Sequence, residues 1–142
     1  MKVKILFNKK KPWARTIAKK IKILLKNKGY SFGTGADATL LIGGDGTIYY
    51  NKKNIEGIVV GVGSEKSKVC QLNRSNWESV DKLLNGKVEK RITLDVYLNG
   101  KKIGWAINDV VLHTRNFRIL KIDVSVDGKF FSFYGDGLIV ST

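Results

Sequence analysis

Leu40-Leu41-Ile42-Gly43-Gly44-Asp45-Gly46-Thr47 is the stretch on which the reading of this chain turns. Ala38 to Ile42 is a short apolar run containing β-branched Thr39 and Ile42, as expected of a strand covered on both faces. It runs into three glycines around one carboxylate, at the end of a strand where open α/β sheets bind ligands. Glycine lets the backbone approach phosphate oxygens closely and present its amides to them. Asp45 in such a turn can accept a hydroxyl proton or help to hold a magnesium ion, two of the few tasks phosphoryl transfer leaves to protein groups. The plainer reading is a glycine-rich hairpin turn. Against it stands the helical-looking continuation Ile48-Tyr49-Tyr50. No Gly-Lys-Ser/Thr follows and the Gly-x-Gly-x-x-Gly spacing is not met, so neither the P-loop nor the dinucleotide fingerprint applies.

Working outward, Val3, Ile5 and Phe7 recur at the two-residue period of a strand over Lys2 to Asn8. Pro12 opens a helix in which Trp13, Ile17, Ile21, Leu24 and Leu25 recur at helical spacing, and Gly29 ends it. On the other side, Ile55 to Val62 reads as a strand, and Asn76 to Leu84 as a short helix capped by Ser75 or Asn76 and closed by Gly86. Strand, helix, strand, helix predicts an α/β fold: a doubly wound, mostly parallel sheet over residues 1–90. The pattern then changes. Ile92 to Leu98 and Lys102 to Asn108 flank Asn99-Gly100, and Ile119 to Val126 and Lys129 to Tyr134 flank Asp127-Gly128, both two-residue hairpin turns. With the strand-like Leu138 to Thr142, residues 91–142 read as the first part of an all-β, antiparallel domain.

At 142 residues and 43% hydrophobic, the chain can bury a core. It has no apolar run of membrane-spanning length and no signal peptide, which predicts a cytoplasmic protein with no membrane partner. One cysteine, Cys70, and one histidine, His113, give neither an internal disulfide nor a zinc pattern. The formal charge of +14 attracts polyanions. The lysines are spread along the whole chain rather than gathered as arginines on one element, so nucleic acid is set aside as the main partner. The first helix is basic and amphipathic; apolar side chains facing a core with lysines in water account for it without a membrane.

Three segments carry a family resemblance. Gly43-Gly44-Asp45-Gly46-Thr47 resembles a signature shared by NAD kinases, lipid kinases of the diacylglycerol type and, more distantly, phosphofructokinases. Asn108-Asp109-Val110-Val111-Leu112 resembles the Asn-Glu-Val-Val-Leu element of NAD kinases, and Gly135 to Thr142 resembles the start of their Gly-Asp-Gly-Leu-Ile-Val-Ser-Thr-Pro-Thr-Gly-Ser-Thr-Ala-Tyr block. The last two segments favour NAD kinases, and all three occur in family order. The resemblance implies transfer of the γ-phosphoryl of ATP, or of polyphosphate, to the 2′-hydroxyl of the adenosine ribose of NAD, in a site between the two domains. It implies that Asp45 accepts the hydroxyl proton and that Gly43, Gly44, Gly46 and Thr47 shape the phosphate-facing turn. Asn108, Asp109 and Asp136 would hold NAD, and a divalent cation such as magnesium would screen the triphosphate. No residue is assigned as a metal ligand.

The chain departs from that pattern in four places. The family loop Gly-Ile-Asn-x-Gly-x-x-Gly-Phe-Leu is replaced by Gly61-Val62-Gly63-Ser64-Glu65-Lys66-Ser67-Lys68-Val69-Cys70. Tyr134 stands where many members carry arginine, and Asp109 stands for glutamate. The family block runs on past Ser-Thr, so the β part is expected to expose strand edges and apolar surface until a homo-oligomer or a second chain completes it. The alternative to a kinase is a truncated, non-catalytic nucleotide-binding or assembly module.

Overall fold

The computed structural model describes residues 1–142 and divides into two compact units, Met1–Val88 and Glu89–Thr142. The first is built on a four-stranded parallel sheet: β1 (Lys2–Phe7), β2 (Ser31–Phe32), β3 (Ala38–Ile42) and β4 (Ile58–Val62), in the spatial order β2-β1-β3-β4. Helix α1 (Pro12–Asn27) follows β1, α2 (Asp45–Tyr50) follows β3, and α3 (Val80–Leu84) follows a 3-10 turn at Trp77–Ser79.

The periodicities predict these elements because they are what the core selects. Ile17, Ile21 and Leu25 fall on one stripe of α1 and are buried with Ala14 and Ala18 against Val3, Leu40, Ile42, Val60 and Val62. Val80 and Leu84 of α3 join the same cluster, so α1 and α3 cover one face of the sheet. Leu41 and Ile48 are buried outside that cluster. All five residues of β3 are buried, as its unbroken apolar run requires. Its one polar member, Thr39, is satisfied: its hydroxyl donates to the Glu56 carbonyl at 2.7 Å and accepts the Glu56 N–H at 2.8 Å.

One local expectation gives way. Neither Ser75 nor Asn76 caps the 77–84 segment with its side chain. The Asn73 carboxamide oxygen instead accepts from Ser75 N, Ser75 Oγ and Asn76 N, a competing local turn that leaves the entry as a 3-10 turn. α3 ends at Leu84, its C-cap Asn85 donating from Nδ2 to the Asp81 carbonyl at 3.0 Å, and Gly86 follows that cap, its N–H donating to the Leu83 carbonyl at 3.1 Å.

The second unit is a set of antiparallel ladders. β5 (Leu94–Leu98) pairs with β6 (Lys101–Ala106), β8 (Leu120–Val126) with β9 (Lys129–Gly135), and β10 (Gly137–Ser141) with β7 (Asp109–His113). The turns are Asn99-Gly100, with φ of 49° and 75°, and Asp127-Gly128, with φ of 49° and 78°, both the mirror-image form that matches strand twist. No residue of this unit is buried. Phe130, Tyr134, Phe117 and Ile119 are more than 70% exposed, in line with the apolar surface expected of the β part. No helix of the chain is long and apolar enough to cross a membrane.

Candidate functional site at the Gly43 turn

The strand order reverses between β1 and β3: the chain leaves β1 for β2 on one side, then passes back to β3 on the other. Such a reversal opens a crevice at the carboxyl ends of the two strands. Here those ends are Asn8 and Gly43. Asn8 N donates to the Ile42 carbonyl at 2.8 Å and Gly43 N to the Val62 carbonyl at 2.9 Å, so three strand ends are tied at one level.

Gly43 has φ of 148°, and a Cβ there would lie 2.5 Å from Thr47 Oγ1 and 2.6 Å from Asn8 Cβ. Both the backbone and the space demand glycine. Gly44 precedes α2 with φ of 101°, whereas Gly46 has open space around it. Thr47 is buried, and its hydroxyl has no hydrogen-bond partner within the protein. Unpaired buried hydroxyls are uncommon. This one lies at the base of the turn, against Gly43.

Asp45 is the first residue of α2 and is exposed. The loop after β4 folds over it. Asp45 Oδ1 accepts from Ser67 Oγ, from Val69 N at 3.4 Å and from Cys70 Sγ at 3.6 Å, and Oδ2 accepts from Lys68 N at 3.4 Å. The Ser67 hydroxyl, helped by the backbone amides and the thiol and opposed by partial burial, holds this carboxyl below the ordinary aspartate range. Burial and the neighbouring carboxylate push the Cys70 thiol up. The loop reaches this position because it presses on the sheet where there is no side chain: a Cβ on Gly61 would sit 2.9 Å from Cys70 Sγ. Gly61 N is held by Gln71 Oε1 at 2.7 Å, and Leu72 returns to Gly61 and Gly63 through two backbone bonds.

The segment that departs from the family pattern is therefore the one that touches Asp45. Ser67 and Cys70 have no site role in the sequence reading, because nothing local links them to a residue more than twenty positions earlier. Lys11, the residue before the helix that Pro12 opens, likewise has no site role in that reading. Its ammonium donates to the Gly43 carbonyl at 2.7 Å and lies 5.7 Å from the centre of the Trp13 ring. The signal available for it was its place just past the end of β1, beside the switch point.

In the second unit, Asn108 and Asp109 are exposed and sit where β7 begins. Asp109 Oδ1 accepts from Ser141 Oγ at 2.7 Å, and the Asn108 carbonyl accepts from Thr142 N at 2.9 Å. Two of the three motif segments thus meet along one ladder, Ser141 opposite Asp109. Asp136 lies at the other end of that ladder, where its carbonyl accepts from Thr114 N at 2.8 Å. Asn108 and Asp109 form one cluster, and Asp136 stands apart from it.

Known proteins give the same direction. No protein-family model matches the chain. It is 33% identical over 147 aligned residues to an NAD kinase of Buchnera aphidicola, covering 89% of this chain and 49% of the relative. It is 32% identical over 117 to an NAD kinase of Thermoplasma volcanium (75% and 42%), and 37% identical over 116 to one of Methanothermobacter thermautotrophicus (75% and 41%). The chain spans less than half the length of these curated relatives. With the Gly43 turn at the sheet's switch point and the order of the three segments, these likenesses make the chain similar to NAD kinases over 75–89% of its own length.

Proposed function

We propose that the chain supplies the turn on which an NAD kinase activates its acceptor, transferring the γ-phosphoryl of ATP, or a phosphoryl of polyphosphate, to the 2′-hydroxyl of the adenosine ribose of NAD to give NADP. The observation that carries this reading is Asp45, an ionised carboxylate in a glycine turn at the carboxyl ends of β1 and β3. On this reading the ribose hydroxyl takes the place of the Ser67 hydroxyl on Asp45 and gives up its proton there. The donors around Asp45 make it a weak base, and a loose phosphoryl-transfer transition state asks little base strength of it. Gly43, Gly44 and Gly46 leave the backbone bare towards the phosphates, and Thr47 offers its unpaired hydroxyl. Asn108, Asp109 and Asp136 hold NAD through hydroxyls and amines.

The chain gathers no group of three or more His, Cys, Asp or Glu side chains able to hold a metal ion. A divalent cation, magnesium on this reading, screens the charge of the triphosphate. A cytoplasmic location and a homo-oligomer or second chain over the β unit belong to the same proposal.

The test is formation of NADP from NAD and ATP by the intact or complemented protein. Asp45→Asn should lower that rate by about a hundredfold or more while leaving the melting temperature nearly unchanged. Full activity in that variant removes Asp45 from its role. A second reading rests on the occupied carboxylate of Asp45: a module that binds nucleotide without turning it over. Calorimetry separates the two, since NAD or NADP binding with no NADP formed supports the module.

A further inference from the structure

Strand β2 ends at Phe32, where Gly33, with φ of 151°, and Gly35, with φ of 64°, turn the chain away. It pairs with β1 only at Lys2 and Val3. Beyond that point one edge of β1 is bare. The bonds on the β3 side come from even-numbered residues, Asp37 N to Lys2 O and Asn8 N to Ile42 O, whereas those on the β2 side use odd ones, Ser31 N to Met1 O and Gly33 N to Val3 O. The N–H and C=O of Ile5 and Phe7 therefore point outward with no strand partner. Buried sheets rarely leave such a row open, because it invites another strand.

An open groove of about 660 Å³ runs along this edge, between it and α1. Ile5, Phe7, Ala18 and Phe32 give it apolar walls, and Arg15, Lys19 and Lys22 stand along it at helical spacing. No lining residue is acidic, and none of the three cations has an ion-pair partner. Lys22 lies over the Phe32 ring at 5.6 Å, at the end where β2 stops.

We propose that this edge is a docking site for an extended acidic peptide segment of a partner protein, which adds a short strand beside β1 and sets its carboxylates against Arg15, Lys19 and Lys22. Main-chain bonds to Ile5 and Phe7 give the register, and the cations choose the partner. A second copy of the chain is a poorer occupant, since it brings the same three cations and a formal +14 of its own. The site is independent of Asp45 and of any phosphoryl transfer.

The test uses the 142-residue chain, isotope-labelled, and as probe an end-blocked eight-residue peptide of alternating valine and glutamate. At saturation, hydrogen exchange of the Ile5 and Phe7 amides should slow by about tenfold or more, with the β3-side amides unchanged. Arg15→Glu with Lys19→Glu, both exposed positions that leave the melting curve in place, should weaken the peptide by about tenfold or more. Equal binding of the valine–lysine peptide, or of a backbone N-methylated peptide, overturns the proposal. So does inorganic polyphosphate giving the same amide protection, which would make the groove an anion site. Protection that rises with protein concentration alone, accompanied by dimers in sedimentation, overturns it in favour of a second copy.

Discussion

The two units carry comparable numbers of aromatic and branched side chains but use them in opposite ways. In Met1–Val88 the apolar residues of α1, α3 and the sheet close on one another, and Ile21, Leu25, Leu40 and Ile42 are fully buried. In Glu89–Thr142 the strands pair but no side chain is buried, so ladder hydrogen bonds and turn geometry stand without a core. Pairing alone makes two-stranded ladders only marginally stable in water. Asp45 and its glycines are thus held by a structure that supports itself, whereas Asn108, Asp109 and Asp136 sit on strands whose apolar faces are open.

The sharpest way to break this contrast is a pair of truncations followed by urea unfolding. Leu40→Ala in β3 should cost about 2–5 kcal/mol. Leu112→Ala in β7, 64% exposed, should cost less than about 0.5 kcal/mol. An equal cost at Leu112 would mean that the β unit has a buried face in solution. Within the turn itself, Gly43→Ala should destabilise by about 1–3 kcal/mol, because its φ is left-handed and its Cβ meets Thr47 and Asn8. Gly46→Ala, in open space on a short helix, should be neutral or stabilising by up to about 1 kcal/mol. Thermal melts of the two variants should move in opposite directions or differ severalfold.

The smallest effect is that of pH. The folded Asp45 titrates below its unfolded value, so the stability it lends is full above the ordinary aspartate pKa of about 3.9 and is lost as pH falls through the lower folded value. Exchange protection at the Lys68 and Val69 amides should follow that acid window and should lose its pH dependence in Asp45→Asn. Protection that fades well above pH 4 would show that another group seats the loop.

What was legible in the sequence was whatever a short window contains. The period of Val3, Ile5 and Phe7, the stripe of Ile17, Ile21 and Leu25, and the Asn99-Gly100 and Asp127-Gly128 turns each act within a few residues, and each forms the element it predicts. Strand β2 was illegible because two residues beside three glycines have no period, and only β1 makes them a strand. β7 was not read as a strand because Asp109 to His113 follows the Lys102 to Asn108 run with no glycine or proline turn between them, and its partner, β10, lies more than twenty residues downstream. At the site, the glycines and Asp45 could be read from their own spacing. The grip of Ser67 and Cys70 on Asp45 could not, since the close approach that Gly61 allows is a property of the folded sheet.

Lys11 acts on the turn without belonging to it. A trans peptide unit is planar, so its carbonyl and its amide hydrogen point in opposite directions and can only rotate together. By holding the Gly43 oxygen, the Lys11 ammonium fixes the plane between Gly43 and Gly44 and aims the Gly44 N–H away from itself. A charge at the start of α1 thus works as a lever on a proton donor thirty-three positions later. Where that donor aims is decided by the residue that grips the far side of the same plane.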